Sequence, residues 1–136
     1  MEKNIDIAAL GELLIDFTEA GTGADGMRLF EQNPGGAPAN LLTGASHMGY
    51  RTEFIGKVGK DMHGAFLKKT LEKENIGVSN LIEDDNYFTT LAFVAIDESG
   101  EREFSFARKP GADTQLRADE LNKELLQNCR IFHFGS

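Results

Sequence analysis

Residues 35–40 read Gly-Gly-Ala-Pro-Ala-Asn, and they mark the point where an extended segment turns into a helix. Paired glycines let the backbone turn sharply and approach a ligand without interference from a Cβ atom. Pro38 suits the first turn of a helix, and apolar residues recur at helical spacing up to Gly49, a residue type typical of helix C-caps. Asn40 falls in the first turn, so its amide could reach a ligand at the glycines. A tight loop before an ordinary helix explains the same residues, and both interpretations stay open.

The segments on either side of this stretch alternate between predicted strands and helices. In chain order the prediction is a strand at 5–10, apolar runs at 13–17 and 28–32 around a loop at 19–26, a helix at 38–48, a strand at 52–56, a helix at 62–74, a hairpin at 88–97 and 101–108, a helix at 118–128 and a strand at 130–134. Such alternation predicts an α/β fold with a mainly parallel sheet flanked by helices, and the hairpin as an excursion. The sequence stops where a strand would pass into its loop, so we expect residues 1–136 to be an incomplete domain.

Composition and charge exclude several classes of protein. Of the 136 residues 40% are hydrophobic, which is enough for a packed core. The net charge of −8 argues against a nucleic-acid partner, which needs clustered Lys and Arg. The single cysteine, Cys129, cannot form an internal disulfide or a thiolate zinc site. With no visible secretory signal and no apolar run of about 20 residues, we expect a cytoplasmic protein with no membrane partner.

Asp16 is the first candidate for a binding residue, because it lies inside the apolar run Leu-Ile-Asp-Phe at residues 14–17. A carboxylate at the end of a buried strand is costly unless it is hydrogen-bonded. It could accept hydrogen bonds from two vicinal hydroxyls of a polyol. Capping of a neighbouring loop accounts for the residue equally well.

The hairpin supplies the second group of candidates. Phe104, Phe106 and Arg108 share one face by the two-residue period of a strand, and such a stripe suits an amphipathic ligand. A half-buried strand with a capping arginine is the simpler interpretation. The preceding strand is apolar on both faces, so one face could roof a pocket and the other could meet a second subunit.

Two kinds of site are not expected. Residues 21–26 spell G-x-G-x-x-G, but no helix has room to open at the third glycine, so a dinucleotide fingerprint is disfavoured. His47, His63 and His133 are far apart in the sequence and show no metal-ligand spacing, so no metal site is expected.

Taken together, the motifs resemble those of the ribokinase-like (pfkB) carbohydrate kinases. Residues 35–40, with Gly49 and Gly59 at their later spacing, resemble the first signature of that family. Residues 11–17, 54–64 and 100–106 look most like its fructokinase branch. Leu42 departs from the small residue usual at its position, which is a packing change on the helix.

The resemblance implies a Rossmann-like core with a small β-sheet lid, its strands near 13–33 and 88–108. It implies that Asp16 and Asn40 bind sugar hydroxyls, that Gly35 and Gly36 lie against the sugar, and that residues at the positions of Phe106 and Arg108 contact substrate. Lids of this kind often pair across a homodimer.

The resemblance also implies the reaction, in which a primary sugar hydroxyl attacks the γ-phosphate of ATP with Mg²⁺ present and a downstream Asp accepts the proton. No catalytic base and no nucleotide motif is found in these residues, so we expect them to form the N-terminal sugar-binding part of a fructokinase-like enzyme and to be inactive alone. A ketodeoxygluconate or nucleoside kinase is the nearest alternative. A non-catalytic sugar-binding module is an alternative from another class, and a nucleotide-linked oxidoreductase is a weaker third.

Overall fold

The computed structural model describes residues 2–136 and shows two β-sheets of four strands each. The elements follow the chain in the order β1 (Ile5–Leu10), β2 (Leu14–Thr22), β3 (Arg28–Gly35), α1 (Ala37–His47), β4 (Thr52–Gly59), α2 (Met62–Lys73), β5 (Ile76–Asp84), β6 (Leu91–Ile96), β7 (Arg102–Ala107), α3 (Lys123–Asn128) and β8 (Cys129–Phe134). Two short 3₁₀ helices, Ala112–Thr114 and Ala118–Glu120, precede α3.

The first sheet has the strand order β5-β4-β1-β8, and every pair in it is parallel. Neighbouring residues of one strand point to opposite faces, so Phe54 packs with Leu42 and Leu67 of the two long helices. Ile55 packs on the other face with Leu125 of α3. Helices therefore cover both faces, and the predicted α/β fold with a mainly parallel sheet is confirmed.

Local sequence explains where the two long helices begin. Asp61 precedes α2, and its side chain accepts hydrogen bonds from the backbone N–H groups of His63 and Gly64, as expected of an N-cap. Gly36 precedes α1 with a φ of 121°, and Pro38 lies in the first turn. Both helices match the predicted segments closely.

The second sheet has the order β3-β2-β6-β7. Its strands pair antiparallel at each edge, while β2 and β6 pair parallel in the centre. These strands fall largely within residues 13–33 and 88–108, the two regions in which the family resemblance implies a lid. The hairpin of β6 and β7 agrees with the predicted hairpin. We call this sheet the accessory sheet, and its action as a lid stays a prediction.

Three sequence predictions were wrong in detail. Strand β5 was missed, because Gly77 and the polar residues Ser79 and Asn80 hide its apolar positions. The helix predicted at 118–128 begins only at Lys123, where the side chain of Asn122 caps it. The loop predicted at 19–26 is shorter, because β2 continues to Thr22.

Candidate functional site

The turn at Gly35 and Gly36 connects the accessory sheet to the first sheet's helix layer. A Cβ atom on Gly36 would collide with the carbonyl oxygen of Glu12, and the φ of 121° also favours glycine there. The Glu12 carboxylate accepts a hydrogen bond of 3.1 Å from the Ala37 N–H, which fixes the start of α1. The turn is therefore held by its neighbours in one conformation.

Asp16 lies directly against this turn. Its Oδ2 atom is 2.5 Å from the position that a Cβ atom on Gly35 would occupy, so the missing side chain makes room for the carboxylate. Burial raises the pKa of Asp16 above its ordinary value of 3.8, and no hydrogen bond within residues 2–136 acts against that shift. Asp16 is thus a partly buried carboxylate whose hydrogen-bonding capacity is unused by the fold.

Asn40 lies on the other side of the same glycine. It is exposed in the first turn of α1, where its backbone N–H donates to the Gly36 carbonyl at 3.0 Å. Its side chain lines a narrow cleft of about 40 Å³ together with Leu13 and Gly35. Asp16 lines a different cavity of about 420 Å³. The structure brings Asp16 and Gly35 together, and it places Asn40 next to Gly35 without giving Asn40 and Asp16 one common cavity.

Phe106 and Arg108 lie at the far edge of the accessory sheet. Phe106 is paired with Ala92, which is paired in turn with Asp16, so Phe106 and Asp16 share one face of the sheet. Phe104 and Phe106 stack with their ring centroids 6.4 Å apart, which confirms that they share a face. Phe106 and Arg108 line a cavity of about 460 Å³ that does not include Asp16.

Arg108 is anchored by a residue that the sequence did not single out as part of a site. Its Nη2 atom donates to Asp113 at 2.7 Å, and the Asp113 side chain is fully buried. The other oxygen of Asp113 accepts a hydrogen bond of 2.5 Å from the Thr90 hydroxyl. Asp113 therefore joins the segments before β6 and after β7. Thr90 is 23 residues from Asp113 in the chain, and the turn between Arg108 and Asp113 is irregular, so no sequence period could reveal these contacts.

Asn33 was also missed. It is paired with Asp16 across β2 and β3, and it lines the same cavity of about 420 Å³. The alternation of a strand gives only the face on which a residue lies, whereas the pairing between strands depends on the register. The sequence contains no clear signal of that register.

The two faces of the accessory sheet have different surroundings. On one face Phe17 and Phe93 stack at 5.2 Å, and Phe17 also meets the ring of His63 on α2 at 5.9 Å. The opposite face leaves Ile96, Phe104 and Phe106 at least half exposed. Strand β6 is thus buried at its start, at Leu91 and Ala92, and becomes exposed on both faces further along, at Phe93 and Ile96.

No group of three His, Cys, Asp or Glu side chains in residues 2–136 could hold a metal ion. The segment 21–26 spans the end of β2 and the turn towards the antiparallel strand β3, so a strand and not a helix follows its third glycine. No helix in the described range is long and apolar enough to cross a membrane.

The fold and these side chains together define an α/β domain with an accessory β-sheet and polar groups grouped at the turn between them. The chain belongs to the pfkB family of carbohydrate kinases, whose profile matches residues 4–136. Family membership agrees with the resemblance found in the sequence motifs.

Relatives and solved structures support the same assignment. The chain is 43% identical over 132 residues to probable fructokinase-2 of Arabidopsis thaliana, covering 96% of this chain and 40% of that protein. The crystal structure of fructokinase from Xylella fastidiosa superposes with a TM-score of 0.89 at 35% identity, covering 97% of this chain and 41% of the other. A putative ribokinase II from E. coli in complex with ATP and Mg²⁺ superposes with a TM-score of 0.83 at 25% identity, covering 96% and 42%. The chain thus spans about 40% of the length of the relatives that it matches.

Proposed function

We propose that the protein carrying this chain is a fructokinase-like sugar kinase, and that residues 1–136 supply part of its sugar site. The observation that carries the proposal is Asp16, a partly buried carboxylate against Gly35 that the fold leaves without a hydrogen bond. Such a carboxylate readily accepts a hydrogen bond from a sugar hydroxyl. The similarity to fructokinases supports a ketohexose as the acceptor substrate.

The remaining candidate side chains line cavities separate from that of Asp16, and the proposal is that the bound sugar reaches them as well. The bare backbone of Gly35 and Gly36 lets the ring approach the chain, and the Asn40 amide offers two donors and an acceptor to its hydroxyls. Phe106 offers an apolar surface to the C–H groups of the ring, and Arg108 retains donors beyond the one given to Asp113.

The ion pair between Arg108 and Asp113 bears on the class of sugar. A carboxylate of an acidic sugar would compete with Asp113 for the guanidinium, and Asp16 would repel it. The pairing therefore favours a neutral ketohexose over ketodeoxygluconate as the substrate.

ATP and Mg²⁺ belong to the proposal through the family and through the ATP and Mg²⁺ complex of the ribokinase II relative. The side chains of residues 2–136 do not fit either group, since they contain no metal-binding cluster and no phosphate loop. We therefore assign no step of phosphoryl transfer to them. A cytoplasmic location is also part of the proposal, because it would give the enzyme access to ATP.

The test measures ATP consumption by the protein expressed from its complete reading frame, with fructose, ribose and ketodeoxygluconate as acceptors. We expect fructose to be the preferred substrate. Asp16→Ala should lower kcat/KM for the sugar at least ~100-fold, because charged hydrogen bonds to hydroxyls are lost. ATP affinity should change little.

The matched control is Asp25→Ala, which removes an exposed carboxylate from the turn between β2 and β3. It should leave kcat/KM unchanged. Sugar binding without ATP consumption would replace the kinase with a non-catalytic sugar-binding module. Full activity in Asp16→Ala would overturn the site.

We also propose that the accessory sheet closes over the sugar as a lid and pairs with its copy in a homodimer. The half-exposed residues Ile96, Phe104 and Phe106 support this proposal, because an apolar sheet face in water favours association. Asp16 lies on that same face, so a partner sheet would help to exclude water from the sugar.

A further inference from the structure

The register of the accessory sheet places a second polar side chain beside Asp16. Asn33 of β3 is paired directly with Asp16 of β2. Paired residues in antiparallel strands point to the same face with their Cβ atoms about 5 Å apart. Both side chains line one cavity of about 420 Å³, together with Thr18. A ligand that reaches the Asp16 carboxylate therefore meets Asn33 as well.

The fold makes little use of the Asn33 side chain. Its amide nitrogen has two long contacts of 3.4 Å, one to the Thr18 hydroxyl and one to the Glu31 carbonyl. Its side-chain oxygen accepts no hydrogen bond from residues 2–136. β3 is an edge strand, and Asn33 is only half-buried, so packing does not require an asparagine here either.

We propose that Asn33 is a specificity-determining residue of the sugar site, bound to a hydroxyl that neighbours the one held by Asp16. This inference rests on the proposed sugar kinase function and extends it to a residue that lies outside the family motifs described above. A primary amide offers a donor and an acceptor, so it matches a neutral hydroxyl and gives no advantage to a charged group.

The chemistry predicts selection between sugars rather than a role in the reaction. A sugar that lacks the matching hydroxyl would leave the Asn33 amide without its partner in a partly desolvated cavity, while the hydroxyl held by Asp16 stays in place. Asn33 would thus discriminate between polyols that differ at a single carbon, while Asp16 supplies most of the affinity through its charge.

The first experiment compares Asn33→Ala with Gln32→Ala in the protein expressed from its complete reading frame. Gln32 is the preceding residue of β3, and it is paired with Phe17 on the opposite face of the sheet. We expect Asn33→Ala to raise KM for fructose roughly 3–10-fold with kcat nearly unchanged, as loss of one neutral hydrogen bond predicts. Gln32→Ala should leave both constants within about twofold of the parent.

The second experiment identifies the hydroxyl with a series of monodeoxy fructoses. One analogue should be used equally well by the parent and by Asn33→Ala, because it lacks the group that Asn33 binds. Every other analogue should retain the 3–10-fold difference between the two proteins. Asn33→Ser, which places a shorter polar group at this position, should give intermediate KM values, and it tests whether the alanine variant is simply misfolded.

The outcomes separate this inference from the function on which it rests. If Asp16→Ala abolishes sugar-dependent turnover while Asn33→Ala changes KM for no sugar, the role of Asn33 is overturned and the proposed function stands. The same holds if the two proteins differ equally for every analogue. If Asp16→Ala retains full turnover, the proposed function itself fails.

Discussion

At the scale of single residues, the sequence singled out Asp16, and the family resemblance grouped it with Gly35, but neither indicated the pairing of Asp16 with Asn33. The order of residues at 14–17 shows a carboxylate inside an apolar run, and in the structure Asp16 is partly buried. Its contact with Gly35 and its pairing with Asn33 require the register of β2 against β3, which includes an irregularity between Glu19 and Thr22. Such a register is set by tertiary packing, so local sequence cannot specify it.

The raised pKa of Asp16 gives a prediction for sugar binding as a function of pH. Burial raises this pKa above 3.8, so the carboxylate becomes protonated at a higher pH than an ordinary aspartate. We expect KM for the sugar to rise as the pH falls towards the raised pKa of Asp16, because the protonated acid loses its charge. Asp16→Asn should show a high KM and a flatter pH profile, measured by steady-state kinetics.

Asp16→Asn, which should weaken sugar binding, should not lower the stability of the fold. An acid whose pKa is raised by folding destabilises the native state at any pH above that pKa, where it is ionised. Asp16→Asn should therefore match or exceed the parent in Tm at neutral pH. Glu19 and Arg102 are the other charged residues that line the Asp16 cavity, and they remain in both proteins. If KM for the sugar depended on pH in the same way in the parent and in Asp16→Asn, the role of the Asp16 carboxylate in sugar binding would be refuted.

At the scale of elements, the long helices and the hairpin were predictable, because periodicity and capping residues define them locally. The helix predicted at 118–128 failed for a tertiary reason. Glu120, inside that range, is held by the buried ammonium group of Lys57 at 2.8 Å, and the segment there is a single 3₁₀ turn. Strand β5 ends at Asp84, which contacts the same ammonium at 2.9 Å. One side chain thus sets the positions of two other elements.

The Lys57 network gives a prediction for stability. Burial disfavours the Lys57 ammonium, but its hydrogen bonds and charge contacts with Glu120 and Asp84 raise its pKa overall. Lys57→Met removes the buried ammonium from Asp84 and Glu120 and leaves Arg117, 3.5 Å from Glu120, as the neighbouring cation. We expect the free energy of unfolding to fall by about 3–5 kcal/mol. Urea denaturation followed by circular dichroism measures the change.

Lys68→Met is the matched control for this substitution. Lys68 pairs with Glu83 at 3.4 Å, and both side chains are more than a third exposed. The loss should stay below about 1 kcal/mol, as is usual for surface ion pairs. Equal losses in the two variants would show that the Lys57 contacts do not organise β5 and the 3₁₀ turn.

At the scale of the whole molecule, the two sheets differ in how they are packed. The parallel sheet and its helices form a packed core, whereas the accessory sheet joins that core through Ile15 and Leu91 and leaves Phe93, Ile96 and Phe104 exposed. The class of fold could be predicted, because alternation of strands and helices determines a parallel sheet. The relation between the two sheets could not, since it depends on contacts such as that between Phe17 and His63.

The exposed apolar residues on the Asp16 face of the accessory sheet predict the oligomeric state. We expect the protein to be a homodimer in solution, held in part by Ile96, which is 65% exposed in the single chain. Ile96→Glu should shift the molecule to a monomer in sedimentation velocity, because the interface would have to bury a charge. Met48→Glu, at an exposed site of 73% at the end of α1, should leave the dimer intact. A parent protein that sediments as a monomer would refute the proposal.

The parallel pairing of β2 with β6 has a consequence for biosynthesis. Strand β2 is made early, yet its central partner follows only after β4, α2 and β5 have been translated. Until then Asp16 lies on a ribbon of two strands, which is marginal on its own in water. Contacts between residues so distant along the polypeptide form slowly. The nascent chain should therefore acquire affinity for sugar only after β6 has been translated and has paired with β2.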